Sequence, residues 1–231
     1  MAATLSASYE RLILMIVDLR TYTLKPGTLG TYLKLYGDNG WPIQNKFLPK
    51  CLGYYQVEIG VQNRVVHLWQ YEDIAQRAKA RAAMEADASW NGYRAASAMF
   101  MVGQENRVMK DAPFWPMKPA SDAPPVGIVD KRTYFVEPGK TGTWAKLYQE
   151  EGMEVQVRHL GRCIGFYISD IGPQHQLVHL WAYKDLADRQ ERRARMQADP
   201  AWNAYLGKAA ALFTHMENEI LRPAPFWTPP A

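Results

Sequence analysis

Cysteine is scarce: the 231 residues hold two, Cys51 and Cys163. So few thiols exclude a disulfide-stapled scaffold and a cysteine-based metal centre. Each follows a basic residue at the start of a predicted strand, which suits reduced core thiols, while a disulfide between them stays open. Long apolar runs are missing too. Glu10 and Arg11 interrupt the N-terminal apolar region, and Leu12 to Val17 is too short to span a bilayer. No signal peptide and no membrane partner are therefore expected, and the chain is expected to be cytoplasmic. Charge of one sign is also lacking: Lys and Arg number 27 against 23 Asp and Glu, for a net +4. The densest basic stretch, Arg189 to Arg195, carries Glu191 and reads as a solvated helix face, so no nucleic-acid partner is expected. There is no Gly-rich phosphate loop, no Ser or Cys nucleophile elbow and no cluster at metal-ligand spacing. A haem needs a single axial His and is not excluded by composition, but nothing argues for one, so no metal or cofactor is expected.

What the sequence does have is repetition. Ile16 to Tyr22 (IVDLRTY) is answered by Ile128 to Tyr134 (IVDKRTY) at an offset of 112 residues, and the same offset holds without a gap to Pro113-Phe114-Trp115 and Pro225-Phe226-Trp227. A tandem duplication follows. We assign residues 9–117 to the first copy, 118–127, rich in Pro and Gly, to a linker, and 128–231 to the second. Each copy is marginal alone, so the two are expected to pack on each other as an intrachain pseudo-dimer; a homodimer of whole chains stays open. Eight Trp and thirteen Tyr exceed what cores alone need, and large aromatics also line pockets for flat organic ligands.

Within the first copy, Leu12 to Thr23 reads as a strand and Lys25-Pro26-Gly27-Thr28 as a turn. Leu29, Tyr32, Leu33 and Tyr36 recur at helical spacing, with Gly40 interrupting or ending the helix before Ile43 to Leu48 resume it. Leu52 to Ile59 and Val65 to Tyr71 form strands about a hairpin at Gly60 to Asn63. Asp73 then caps a helix over Ile74 to Glu85, a further helical segment begins at Asp87, and Glu105 to Met109 closes as a short strand. The order is β-α-β-β-α-β, the ferredoxin-like arrangement, whose sheet has one face bare of helices. The expected fold is α+β: two tandem ferredoxin-like (βαββαβ) repeats packing sheet to sheet as a pseudo-dimeric α/β barrel.

Asp18 to Gly27 (DLRTYTLKPG), Gly53 to Gly60, Val66 to Asp73 (VHLWQYED) and Glu105-Asn106-Arg107 resemble the NIPSNAP family, as do Arg132-Thr133-Tyr134, Val178 to Asp185 (VHLWAYKD) and Glu217-Asn218 in the second copy. The resemblance covers almost the whole chain. It implies the dimeric α/β barrel superfamily, which includes cofactor-free monooxygenases, isomerases, polyketide cyclases, dehydratases and haem proteins.

Chemistry is sought first at His67 and His179. Strand alternation places His67, Trp69 and Tyr71 on one face, and likewise His179, Trp181 and Tyr183. If Val66 and Leu68 pack under the helices, that face looks into the barrel. His is the natural acid or base near neutral pH, while the plainer reading is a buried His held in a hydrogen-bond network. On the first strand Asp18, Arg20 and Tyr22, with Asp130, Arg132 and Tyr134, also share a face. Arg20 or Arg132 can grip a carboxylate or enolate with help from a Tyr hydroxyl, or pair with the Asp to stitch strands together. Lys131 sits on the opposite face, which a wholly apolar interior would not welcome. Glu58 and Asp170, beside aromatics, are candidate ligand contacts or solvated carboxylates. Trp90 and Tyr93, mirrored by Trp202 and Tyr205, read as helix-to-sheet packing. His159, His175 and His215 occur only in the second copy, at positions that suit the surface.

The expected function is a cofactor-independent enzyme acting on a small apolar or aromatic oxygenated molecule in a barrel cavity. His67 or His179 moves the proton, Tyr22, Tyr134, Arg20 and Arg132 hold an oxyanion, and Trp69, Trp181, Tyr71, Tyr183, Glu58 and Asp170 shape the pocket. Isomerase, cyclase, lyase and monooxygenase chemistry all fit. The alternative is a non-catalytic ligand-binding or interaction scaffold.

Overall fold

The computed structural model describes residues 15–229. The part of the expected first strand before residue 15 lies outside them. The first repeat runs β1 (Ile16–Leu24), α1 (Leu29–Leu35), α2 (Trp41–Phe47), β2 (Lys50–Ile59), β3 (Arg64–Tyr71), α3 (Ile74–Glu85), α4 (Ala88–Ser97) and β4 (Met101–Asp111). The second repeats it as β5 (Ile128–Val136), α5 (Thr141–Leu147), α6 (Met153–Leu160), β6 (Arg162–Ile171), β7 (Gln176–Tyr183), α7 (Leu186–Ala198), α8 (Pro200–Ala209) and β8 (Phe213–Pro223).

Local chemistry explains the element ends. Asp73 accepts the Gln76 backbone N–H at 2.7 Å, while the Gln76 side chain accepts from the Glu72 N–H at 2.9 Å, which satisfies two donors at the start of α3. Asp87 and Asp199 cap α4 and α8 in the same way, and Pro200 follows Asp199 at the first helical position. Gly40, expected to interrupt or end its helix, interrupts it without ending it. A π-helical turn, Tyr36–Gly40, carries α1 directly into α2. The glycine serves close approach instead: a Cβ there would lie 2.8 Å from the Tyr36 ring and 2.9 Å from Tyr93.

All eight strands close into one antiparallel barrel in the order β1-β3-β2-β8-β5-β7-β6-β4. The two four-stranded sheets face each other across the interior and are joined along both edges, β2 to β8 and β4 to β6. The exposed pairs Glu58–Arg222, at 3.0 Å, and Asp170–Lys110, at 2.6 Å, sit at these two seams.

The direction in which the strand faces point differs from the sequence expectation. Val17, Leu19, Val66 and Leu68 look inward and pack with Val129, Val178, Leu180 and Leu221 of the other repeat. The His-Trp-Tyr face looks outward, under the helices: register places His67 beside both Arg20 and Tyr54, and Asp18 on that face bonds Arg77 of α3. The reason is space. An eight-stranded barrel is only just wide enough for side chains to fill, so its inner face is mostly compact β-branched and Leu side chains with Tyr55 and Tyr167, and the His-Trp-Tyr rows lie where helices can cover them. Lys131 is inside, next to Glu219 on β8, and the two form an ion pair, so the interior accommodates it as half of a pair.

Candidate functional site

Between sheet and helices, each repeat builds the same constellation. Asp18, fully buried, receives Arg20 at 3.2 Å and Arg77 at 2.9 Å, with Arg81 at 3.9 Å. Asp130 holds Arg132, Arg189 and Arg193 at 3.1, 2.8 and 4.0 Å. One carboxylate thus ties β1 to α3, and its twin ties β5 to α7. Breaking a buried cluster of this kind by removing the acid strands several cations. Arg20 also donates through Nε to the Tyr22 hydroxyl at 2.9 Å, and Arg132 donates likewise to Tyr134. Burial works against the Arg20 charge, but Tyr22 and Asp18 outweigh it and raise its pKa.

His67 and His179 are buried beneath these pairs. The indole Nε1 of Trp69 donates to His67 Nδ1 at 2.9 Å, and Trp181 does the same to His179 at 2.8 Å. Because Nδ1 accepts, the neutral ring carries its proton on Nε2, which has no hydrogen-bond partner among the described residues. Burial first, then Arg20 and Arg81, hold the His67 pKa well below its ordinary value; burial, Arg132 and Arg193 do so for His179. Each is a neutral donor with its basic nitrogen occupied. The His67 ring stacks on Tyr54 at 4.7 Å and meets Tyr22 edge-on at 4.8 Å, so it supports two tyrosines. His179 stacks on Phe166 and meets Tyr134 edge-on in the same way.

Other predicted residues divide clearly. Trp69, Trp181, Tyr71 and Tyr183 are fully buried around this layer. Glu58 and Asp170 are not with them: both are exposed near the ends of β2 and β6 and taken up in the seam ion pairs. Trp90 and Tyr93, expected to pack helix to sheet, are buried against helical neighbours instead, Tyr93 on Tyr36 and Gly40 of the π-helical turn, and they also line a cavity. His159 bonds the α8 cap Asp199 at 2.8 Å, His175 bonds Thr141 at 3.2 Å and His215 is exposed. The two thiols are free, and burial pushes both up to about 12, which leaves them inert.

The first repeat's cavity, of about 170 Å³, opens between the sheet and α3 and α4. Arg20, Arg81 and Tyr22 form its deeper part, with Glu85, Arg94 and Gln104 at the exposed mouth. Its wall includes Tyr32, whose hydroxyl lies 3.1 Å from that of Tyr54. Burial raises both hydroxyls well above the usual phenol range, so they stay protonated. Arg81 and Arg94 escaped the sequence reading because they lie on helices among ordinary surface residues, and Tyr32 was read only as part of the buried stripe of its helix. The signal available was the difference between the copies, Tyr32 against Trp144 and Arg94 against Leu206. The corresponding cavity in the second repeat measures about 50 Å³.

With this architecture in view, comparison with known proteins is decisive for kinship. A family model described as NIPSNAP matches residues 17–116 and again 129–228. The chain belongs to the NIPSNAP family. A NipSnap homolog from Dictyostelium discoideum is 25% identical over 211 residues, covering 90% of this chain and 87% of the relative. NipSnap homolog 2 of Danio rerio is 26% identical, covering 90% and 72%. Among solved structures, a Fusobacterium nucleatum protein aligns with a TM-score of 0.62 over 91% of this chain and 93% of its own, at 12% identity. An anthrone oxidase-like protein aligns with a TM-score of 0.58 over 90% and 91%, at 8% identity. Those two likenesses show that this NIPSNAP chain has the dimeric α/β barrel fold, and nothing about its chemistry. No helix among the described residues is long and apolar enough to cross a membrane.

Proposed function

We propose that this NIPSNAP chain is a cofactor-independent enzyme acting on a small apolar or aromatic oxygenated molecule, bound between sheet and helices, through an enolate or phenolate. The observation that carries the reading is the deep part of the first cavity, where Arg20 and Tyr22 are joined at 2.9 Å beside protonated tyrosine hydroxyls. Fixed donors of this kind meet negative charge as it develops on a ligand oxygen without having to reorganise. Glu85, the carboxylate among the lining residues, takes a proton from the ligand's C–H or O–H. The electron pair left behind moves onto the oxygen held by Arg20 and Tyr22. Return of the proton to another atom completes an isomerisation; loss of a leaving group from the same enolate is the lyase outcome.

His67 does not move the proton in this reading, since Trp69 occupies its Nδ1. It is a positioning residue for Tyr22 and Tyr54, and Trp69 and Tyr71 complete that support. A non-catalytic scaffold is the second reading, favoured by the recurrence of the Asp–Arg cluster in both repeats, as a structural tie requires.

The test uses 4-nitrophenol, whose absorbance reports its ionisation. The wild-type chain is expected to bind it and to shift the bound ligand toward phenolate, with the shift lost in Tyr22→Phe and reduced in Arg20→Lys. Binding with no shift in ionisation supports the scaffold; no saturable binding overturns the cavity as a ligand site.

A further inference from the structure

The two subhelical cavities descend from one ancestor, and their linings have diverged in a consistent direction. Where the first repeat has Tyr32, the second has Trp144; Tyr54 is answered by Phe166 and Ser97 by Ala209. At the mouth, Arg94 is answered by Leu206 and Gln104 by Met216. Each change removes a polar group or adds apolar bulk. The first repeat keeps a run of hydroxyls, in which Tyr32 meets Tyr54 at 3.1 Å and Tyr93 lies against Tyr32 and Ser97. In the second, the Trp144 indole donates to Tyr205 at 3.2 Å and stacks on both Tyr148 and Phe166, occupying the space. The volumes follow: about 170 Å³ against about 50 Å³. An apolar cavity of about 150 Å³ admits benzene, so the first has room for one substituted ring and the second does not.

We propose that the chain has one working site, in the first repeat, that it takes a single-ring aromatic carboxylate, and that the second cavity has become packed core. This rests on the reading of the first cavity as a ligand site. The charge of the lining selects the ligand class. Three guanidiniums, Arg20, Arg81 and Arg94, border the space against the single carboxylate Glu85. Asp18 behind them neutralises part of this charge, with Oδ2 held by Arg20 and Arg77, but it is not among the residues that line the cavity. A planar guanidinium matches a planar carboxylate in two parallel bonds. Much of the remaining wall is aromatic, Tyr32, Tyr36, Trp90 and Tyr93, beside Gln44, Ser97 and Met101, and it takes the aromatic body. The second lining retains Arg193 but has lost the mouth cation and the mouth acid together, since Glu85 is answered by Gln197.

Calorimetry with 4-hydroxybenzoate and its neutral amide, 4-hydroxybenzamide, tests this on the full chain. The expected result is one site per chain for the acid, with the amide at least about tenfold weaker, as loss of a charge-assisted pair implies. Arg94→Leu, a change at an exposed position that does not threaten folding, is expected to weaken the acid about five- to tenfold and leave the amide unchanged. Tyr32→Trp fills the first cavity and is expected to abolish binding, whereas Met216→Gln in the second is expected to leave it within twofold. Two sites per chain, or acid binding that survives Tyr32→Trp, overturns the assignment to one repeat. Equal binding of amide and acid overturns the carboxylate class. If neither binds while 4-nitrophenol still does, the cavity reading stands and this proposal falls; if none of the three binds, both fall.

Discussion

Two histidines buried as neutral rings make the stability of this chain depend on proton concentration in a calculable way. His67 is fully buried and His179 nearly so; each spends Nδ1 on an indole N–H, and nearby guanidiniums oppose a second proton. Their folded-state pKa values are depressed, so below the unfolded value of about 6.5 the unfolded chain binds more protons than the folded one. Stability is therefore complete above about pH 6.5 and falls as the solution is acidified. A ring that stays neutral contributes at most about 1.4 kcal/mol per pH unit, so the pair sets a limiting slope of about 2.7 kcal/mol per unit. Most carboxylates are still ionised between about pH 5 and 6.5, so they do not obscure the slope. The assay is urea unfolding at a series of pH values. His67→Gln and His179→Gln are each expected to halve the slope, and the double variant to flatten it, whatever packing energy the substitutions cost. A slope that is the same in wild type and double variant between about pH 5 and 6.5 would refute the claim that both rings are held neutral.

Three further outcomes follow from contacts elsewhere. Asp18→Asn and Asp130→Asn should each lower unfolding free energy by about 3–5 kcal/mol in chemical denaturation, and by similar amounts, since the two clusters are copies. Lys131→Met alone should cost about 3 kcal/mol by leaving Glu219 inside the barrel with only Arg64 at 3.7 Å, and adding Glu219→Leu should recover more than half of it. Gly53→Ala should destabilise by about 1–3 kcal/mol or more in thermal melts, because its Cβ would sit 2.2 Å from the Tyr55 ring; Gly165→Ala meets Tyr167 at 2.5 Å and should behave alike.

Much of the architecture was legible because the patterns are local. The 112-residue echo from Arg20 to Arg132, the period-2 alternation through Val66 to Tyr71 and the caps at Asp73 and Asp87 each specify their own element. Alternation also grouped His67, Trp69 and Tyr71 correctly on one face. It could not say which way that face points, because a sheet covered on both sides buries both, and barrel curvature decides what fits within. The same blindness left two readings open for Glu58 and Asp170, ligand contacts or solvated carboxylates, and their exposed seam ion pairs fit the second. The cavity was harder to read still. It depends on small differences in bulk between Tyr32 and Trp144, or Ser97 and Ala209, whose meaning appears only when helix and sheet are brought together.

The order of strands around the barrel bears on how the chain comes to be folded at all. Within the first repeat, β2 and β4 are the outer strands of its sheet, and both find their partners in the second repeat, on β8 and β6. As the chain leaves the ribosome, a completed first repeat therefore presents two unpaired strand edges and an apolar inner face to the cell. Neither β6 nor the far strand β8 yet exists to cover them. The interval between synthesis of β4 and of β8 is a period of exposure to aggregation and chaperone capture, and it ends only when the last strand slides between β2 and β5.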